Sequence, residues 1–557
     1  MTAPDAQKKA VTLAAPVLSA LLLALAMPGL VGWWPLLFVA LIPLLWAART
    51  LPIAAQSGCM GLSSGLLYYA SLLYWIVIVL ERYGGLHNFV AVGVLLLLAL
   101  YMAAYTAFFC MSINWLTTRP ERGLSVSILL IAPAAWVGLD VARGWLFTGM
   151  PWMDLGYGLF REPLLIQAAD LGGHHLITFF IVQINALLYW LLDRVFSRTR
   201  TPKRQYLLAV MVCLILYCVG GYSMLRWQQV KSEATTAEQV VAVAVQGNID
   251  QGEKWSPALK EETVDRYLSL SAKAIQGKER PSLIVWPETA LPFYPHREPL
   301  MSRVRDFAKE KQLYLLTGAP YFTVTPGLSK PSTEYFSSSL RPVEYFNSAL
   351  MVDSSGTQTG RYNKQHLVPF GEYVPLSDYL WFIKPLVELV GDFTPGRSSK
   401  PLEAGRVRAG ILICFESIFP EIARRTTAAG ANLLVSLTND AWYGKSSAPQ
   451  HSWAMTVMRA VENRRGLVRA ANTGISGFVA PSGAISGESG LFTAEALTGN
   501  VPLMTGQTLF VQGGHWFGPF CLALTSLFLL GRALLARKRR QEISRRQRAL
   551  RTQQKSG

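Results

Sequence analysis

Six cysteines occur in the 557 residues, and five of them (Cys59, Cys110, Cys213, Cys218 and Cys521) lie in apolar stretches of membrane-spanning length. The sixth, Cys414, ends the apolar run Gly410-Ile411-Leu412-Ile413 in the charged middle of the chain, where it has no disulfide partner. A lone thiol in that setting is a candidate nucleophile. With a pKa near ~8.5 such a thiol is mostly protonated at neutral pH, so it needs a base or a positive field. Two other segments could supply these. Ile284-Val285-Trp286-Pro287-Glu288 reads as a buried strand that runs into proline and presents Glu288 at its carboxyl end. Tyr362-Asn363-Lys364 places Lys364 before the apolar, proline-rich stretch ending at Pro375. Glu288 can take the thiol proton, and Lys364 can meet the negative charge that develops on an attacked carbonyl oxygen, which is the chemistry of acyl transfer. His366 offers a competing Cys–His pair and ranks below Lys364. Each residue alone has a commoner explanation: a turn carboxylate, a surface lysine, a packed thiol. Only the set points to chemistry.

These residues need a scaffold, and residues 238–506 alternate short β-branched runs with longer amphipathic stretches. Strands are predicted over Val240–Gln246, Leu283–Trp286, Leu313–Thr317, Ser348–Val352, Val407–Cys414, Leu433–Leu437 and Leu467–Ala471. Helices are predicted over Pro257–Ile275, Glu298–Lys311, Ile418–Ala429 and Gln450–Arg464. Such alternation implies a layered α/β domain. Two long connections interrupt it. Phe322 to Pro342 is rich in Ser, Pro and Thr, and Tyr373 to Gly396 carries Trp381, Phe382, Ile383, Leu386, Leu389 and Val390. A core helix would explain the second; beside a membrane, a lipid-facing flap at Trp381, Phe382, Ile383 and Leu386 explains it as well.

The membrane enters through composition: 51% hydrophobic and only 16% charged is too apolar for a soluble chain of this length. A spanning helix needs about 20 apolar residues. Eight candidates fit, near 11–29, 32–48, 57–79, 89–115, 124–141, 168–192, 205–225 and 512–535. The fifth is interrupted by Pro133 and closed by Asp140 and Arg143. The division expected is therefore a seven-span membrane domain (1–225), an extracytoplasmic catalytic domain (226–511), a C-terminal span (512–536) and a basic cytoplasmic tail (537–557).

Loop charge supports that orientation, because short cytoplasmic loops are enriched in Lys and Arg. Alternate segments hold 20 basic residues, ten of them from Arg532 to Lys555, against four acidic ones (Asp5, Glu121, Asp193 and Glu542). That surplus of 16 nearly equals the whole-chain net charge of +17. The basic tail thus reads as an orienting, lipid-facing segment, and no nucleic-acid-binding motif accompanies it. Gln167, Asp170, His174 and His175 cluster near the outer end of the sixth candidate, where interfacial hydrogen bonding accounts for them without a site. No HExxH spacing or paired-cysteine pattern implies a metal, and no glycine-rich phosphate loop is present.

Together, the segments around Glu288, Lys364 and Cys414 resemble the nitrilase, or carbon-nitrogen hydrolase, superfamily. The resemblance implies an αββα sandwich with Glu288 as general base, Lys364 as oxyanion stabiliser and Cys414 as nucleophile. With the spans added, the whole chain resembles the apolipoprotein N-acyltransferase family. The motifs are Gly149-Met150-Pro151-Trp152 with Gly156-Tyr157, Gln246-Gly247-Asn248-Ile249 leading to Lys254-Trp255, Phe370-Gly371-Glu372-Tyr373-Val374-Pro375, and Leu437-Thr438-Asn439-Asp440-Ala441-Trp442. That resemblance implies supporting roles for Trp255, Glu372 and Glu416. Phe415 stands where the family often has Tyr, which argues against a phenolic role there. It further implies a cofactor-free, ping-pong transfer in a bacterial inner membrane. The acyl donor would be a phospholipid, typically phosphatidylethanolamine, and the acceptor the N-terminal amine of a diacylglyceryl apolipoprotein. A tethered amidase that hydrolyses its thioester could use the same triad, although a tether needs one span, not seven. An inactive lipid-binding scaffold would have no need of the intact triad.

Overall fold

The computed structural model describes the chain except residues 1–2, 118–126, 197–202, 253, 278–279, 325–342, 376–392 and 557. The predicted flap at Trp381, Phe382, Ile383 and Leu386, and most of the Phe322–Pro342 connection, lie outside the described residues.

Among the described residues five helices are long and apolar enough to cross a membrane: Asn88–Thr117, Ile128–Thr148, His174–Phe196, Lys203–Thr236 and Phe517–Gln554. A sixth candidate is a bent pair, Ala54–Leu72 and Trp75–Arg82, which meet at 53°. The first two predicted spans fall on shorter apolar helical stretches, Leu13–Ala26, which is part of helix Ala3–Ala26, and Trp34–Thr50. Pro28 follows the first helix, and Pro35 sits in the 3-10 turn Trp34–Phe38 that opens the second stretch. The predicted fifth span is present as Ile128–Thr148, but Asp140 and Arg143 do not close it. Helix Ile128–Trp145 continues through both, with Pro133 inside it. Arg143 pairs with Asp140 at 3.0 Å, and with Asp154 and the Tyr69 hydroxyl, so the charges are compensated inside the bundle. The bent pair packs tightly because Gly61 brings its helix against residues 106–110, where a Cβ would meet the Thr106 carbonyl at 2.5 Å.

The rest of the chain forms two six-stranded sheets. The first has the order β12-β1-β2-β3-β4-β5, with β1 Gln239–Gln246, β2 Leu283–Val285, β3 Tyr314–Val324, β4 Val343–Val352, β5 Gln358–Asn363 and β12 Glu495–Pro502. The second has the order β11-β10-β9-β8-β7-β6, with β6 Leu402–Ala404, β7 Val407–Ile413, β8 Leu433–Thr438, β9 Gly466–Ala471, β10 Gly477–Val479 and β11 Ile485–Glu488. The period of two in β1 sorts its side chains. Val240, Ala242 and Ala244 join Ile411, Ile413, Val435 and Val468 between the sheets, while Val243 and Val245 face Val264, Tyr267 and Val304 of the outer helices. Both faces are buried, giving the αββα sandwich.

The helix layer over the second sheet, Pro420–Ala428 and Ala448–Asn463, shares one apolar core with the membrane helices. A buried polar joint reinforces it. Arg464, held at φ +48° just past the helix, donates to Asp170 at 2.9–3.0 Å and to Gln167 at 2.8 Å. Asp170 also accepts from Tyr222 and Arg226 on helix Lys203–Thr236. Glu462 accepts from the main-chain N–H of His174 at 2.9 Å and pairs with Arg459. The His174 ring lies 2.9 Å from Asp154 and 3.2 Å from Glu462, so the polar cluster noted at residues 167–175 locks the two domains together.

Removing one partner of a buried ion pair costs about 3–5 kcal/mol. Arg464→Met should therefore lower the thermal unfolding midpoint of the purified protein and expose the junction near residue 236 to limited proteolysis. An unchanged midpoint and cleavage pattern would show that the joint is not what holds the domains together.

Candidate active site

All three predicted residues lie at strand ends. β2 stops at Val285, and Trp286-Pro287 carries the chain into a turn that presents Glu288. β3 passes so close that a Cβ on Gly318 would stand 2.6 Å from the Glu288 Cα, which only glycine permits. Lys364 follows β5, its N–H donating to the Asn347 carbonyl of β4 at 2.8 Å. Cys414 follows β7 at φ +52°, a left-handed conformation unfavourable for any residue but glycine. This sharp turn carries Cys414 off the end of the sheet, where the residue as a whole is partly exposed.

The structure brings Glu288, Lys364 and Glu372 into one buried cluster. The Lys364 Nζ lies 2.8 Å from Glu372 Oε2 and 3.7 Å from Glu288 Oε1. Burial works against the Lys364 cation, yet the carboxylates of Glu372 and Glu288 outweigh it and hold its pKa above the usual lysine range. Lys364 is therefore a permanent cation. Burial pushes the Cys414 thiol up, the Glu288 carboxylate adds to that push, and Lys364 opposes it. A protonated thiol beside a carboxylate and a fixed ammonium suits proton removal in step with attack.

Two residues that sequence reasoning missed set this geometry. Asn347 donates from Nδ2 to Glu288 Oε1 at 2.8 Å and to Glu372 Oε1 at 2.9 Å, bridging the carboxylates. The Asn439 main-chain N–H donates to Glu288 Oε2 at 2.9 Å. Asn439 stood in a quoted motif; Asn347 was signalled only by being polar within an apolar strand.

The supporting residues divide. Glu372 belongs to the cluster and also accepts from the Val368 N–H at 2.9 Å. Glu416 is fully buried and joins the Cys414 turn to the Lys364 loop. Its carboxylate accepts from the Ile413 N–H at 2.7 Å, from the N–H groups of Gln365 and His366, and from the Tyr362 hydroxyl at 2.9 Å. Burial lifts Glu416 to about 7 despite these donors. Phe415 packs edge-on against Phe419, with ring centroids 5.2 Å apart, and serves as apolar wall. Trp255 is half-exposed, and no hydrogen bond or ring contact joins it to the triad among the described residues. The competing Cys–His pair does not form: the His366 ring lies against Phe419 with centroids 3.8 Å apart, and burial, with Lys364 nearby, lowers its pKa to about 4.

A charge-assisted hydrogen bond contributes about 1.5–3 kcal/mol. Asn347→Ala removes two, so acylation of Cys414 should slow by about 100-fold or more in a single-turnover assay with the fold retained. A rate within about twofold of wild type would remove Asn347 from the machinery.

Comparison with known proteins agrees with this architecture. The apolipoprotein N-acyltransferase N-terminal domain matches residues 19–187, and the carbon-nitrogen hydrolase domain matches residues 241–509. The apolipoprotein N-acyltransferase of Geobacter metallireducens is 41% identical over 511 residues, covering 91% of this chain and 92% of its own. Those of Methylococcus capsulatus (31% identity, 83% of this chain and 85% of that one) and Pseudomonas syringae (32%, 92% and 96%) are similar along nearly their whole length. Among solved structures, a carbon-nitrogen hydrolase from Helicobacter pylori covers 50% of this chain and 94% of its own at 17% identity, with a TM-score of 0.35. With both domain models in order along the chain and a relative 41% identical over 91% of it, this protein belongs to the apolipoprotein N-acyltransferase family, membrane-spanning acyltransferases of the nitrilase superfamily.

Proposed function

We propose that Cys414 carries an acyl chain between two lipid-anchored substrates. In the first stage Glu288 accepts the thiol proton while the sulfur attacks the ester carbonyl of a phospholipid, phosphatidylethanolamine being the donor expected. The developing oxyanion faces the Lys364 ammonium. Collapse expels the lysophospholipid alkoxide, which takes the proton from Glu288 and leaves a thioester on Cys414. In the second stage the free α-amine of the diacylglyceryl-cysteine at an apolipoprotein N-terminus attacks the thioester. Glu288 accepts the amine proton and returns it to the departing thiolate, giving the amide and free Cys414. The observation that carries this reading is the Lys364 ammonium, out of water between Glu372 and Glu288 and electrostatically coupled to Cys414.

The membrane part fits two substrates that travel in a bilayer. Eight passages are proposed, with the shorter helices Leu13–Ala26 and Trp34–Thr50 and the bent pair each counting as one. Both termini then lie on the cytoplasmic side of a bacterial inner membrane, the basic segments beside them, and residues 226–511 face the periplasm. The apolar connection at Trp381, Phe382, Ile383 and Leu386 is proposed as the flap past which lipid enters.

Mass spectrometry of the purified protein after incubation with phosphatidylethanolamine in mixed micelles tests the reading. A hydroxylamine-labile adduct of one acyl chain on the Cys414 peptide, absent in Cys414→Ser, should form and then discharge onto a diacylglyceryl-cysteine peptide. Discharge to water alone would make the protein a thioester hydrolase, and no adduct would make it neither.

A further inference from the structure

Lys254 is completely buried, and no carboxylate lies within ion-pairing distance of it among the described residues. An ammonium removed from water normally takes an acidic partner. This one instead donates to the main-chain carbonyl of Glu288 at 3.3 Å and to the Thr289 hydroxyl at 2.7 Å. The link it spans is strained, because Thr289 is β-branched and sits at φ +47°. The segment that carries Lys254 is itself anchored to the far side of the site. The Ile249 N–H donates to Asn472 Oδ1 at 2.9 Å, and Asn439 donates from Nδ2 to Gln251 Oε1 at 2.5 Å. Since the Asn439 N–H also holds the Glu288 carboxylate, Gln251 reaches Glu288 through its side chain and Lys254 through its main chain.

We propose that Lys254 is a positioning residue for the general base: its charged ammonium holds the strained Glu288–Thr289 link so that the carboxylate is aimed at the Cys414 thiol. This rests on Glu288 acting as base in the acyl transfer proposed above. A hydroxyl and a carbonyl are both acceptors, so the ammonium's donors satisfy them where an apolar side chain of the same length would leave them bare. Burial lowers Lys254 to about 8, with the Glu288 carboxylate, the one ionised group acting on it among the described residues, working the other way. The ammonium is therefore present below that pH and is lost as pH rises through it.

The test uses the full chain in nanodiscs and follows single-turnover thioester formation from phosphatidylethanolamine at pH 6 to 10, with thermal midpoints recorded for every variant. Lys254→Met should slow acylation by about 10- to 100-fold at unchanged lipid KM. Wild-type acylation should decline around pH 8 as the Lys254 ammonium is lost, and Lys254→Met should abolish that decline. Lys254→Arg, which keeps its charge at all these pH values, should recover much of the rate without that decline. Thr289→Val, which removes only the hydroxyl acceptor, should slow acylation by about 3- to 10-fold and gives a second reading if Lys254→Arg does not fold. A folded Lys254→Met with wild-type rate and pH profile would overturn the proposal, as would a folded Lys254→Arg no faster than Lys254→Met, or a Thr289→Val indistinguishable from wild type. Glu288→Gln separates the two readings: if it acylates normally, the base assignment itself fails, whereas if it is inactive and Lys254→Met is not impaired, only the role of Lys254 fails.

Discussion

Taking a lysine ammonium out of water costs several kcal/mol, and the cost is offset only where carboxylates and hydrogen bonds surround the ion with good geometry. Lys364 meets that condition between Glu372 at 2.8 Å and Glu288 at 3.7 Å, with Asn347 tying the two carboxylates together. Much of the catalytic domain can be traced back to this arrangement. Glu372 must reach back from the segment after β5, Asn347 must sit in register beside Lys364, and Glu288 must leave β2 at a turn close enough that β3 carries Gly318. Cys414 gains its opposing field from the same ammonium, and the buried Glu416 ties its turn to the Lys364 loop. The cluster is preorganised, so little reorganisation is needed when negative charge appears on a substrate carbonyl.

The catalytic sandwich is not a freely swinging module. Its Ala448–Asn463 helix lies between the second sheet and the membrane helices, and Arg459, Glu462 and Arg464 on and beside it meet Tyr157, His174, Gln167 and Asp170. Helix Trp75–Arg82, the second limb of the bent pair, and Tyr83 just past it add contacts nearer the chemistry. The Trp75 ring stands edge-on to Tyr443, and the Tyr83 hydroxyl donates to the Ala441 carbonyl at 3.0 Å. That segment begins at Asn439, whose N–H holds the Glu288 carboxylate, so the membrane helix and the proposed general base are separated by a few residues of one connection. A site docked this rigidly suits substrates that arrive along the bilayer to a fixed thiol.

What could be read from sequence follows from how local each signal is. Cys414, Glu288 and Lys364 were legible because each ends or follows a strand, with a polar side chain closing or bordering an apolar run, and the main α/β elements were legible by their periodicity. β5, with the sequence Gln358-Thr359-Gly360-Arg361-Tyr362-Asn363, has no apolar alternation and becomes a strand through pairing with β4. Asn347 acquires its role only through the register of β4 against β3 and β5, which no local pattern encodes. The fifth span was placed correctly but ended too early, because Asp140 and Arg143 look prohibitive in lipid until Asp154, eleven residues beyond Arg143, is seen to share the guanidinium.

The central claim is that the buried Lys364 ammonium sets the reactivity of Cys414. Alkylation of Cys414 by iodoacetamide at pH 7, quantified on its own peptide, measures this directly in wild type and in a folded Lys364→Met. Because Lys364 opposes the upward push of burial and Glu288 on the thiol, its loss should slow alkylation by about tenfold or more. Alkylation at an equal or higher rate in Lys364→Met would contradict the account.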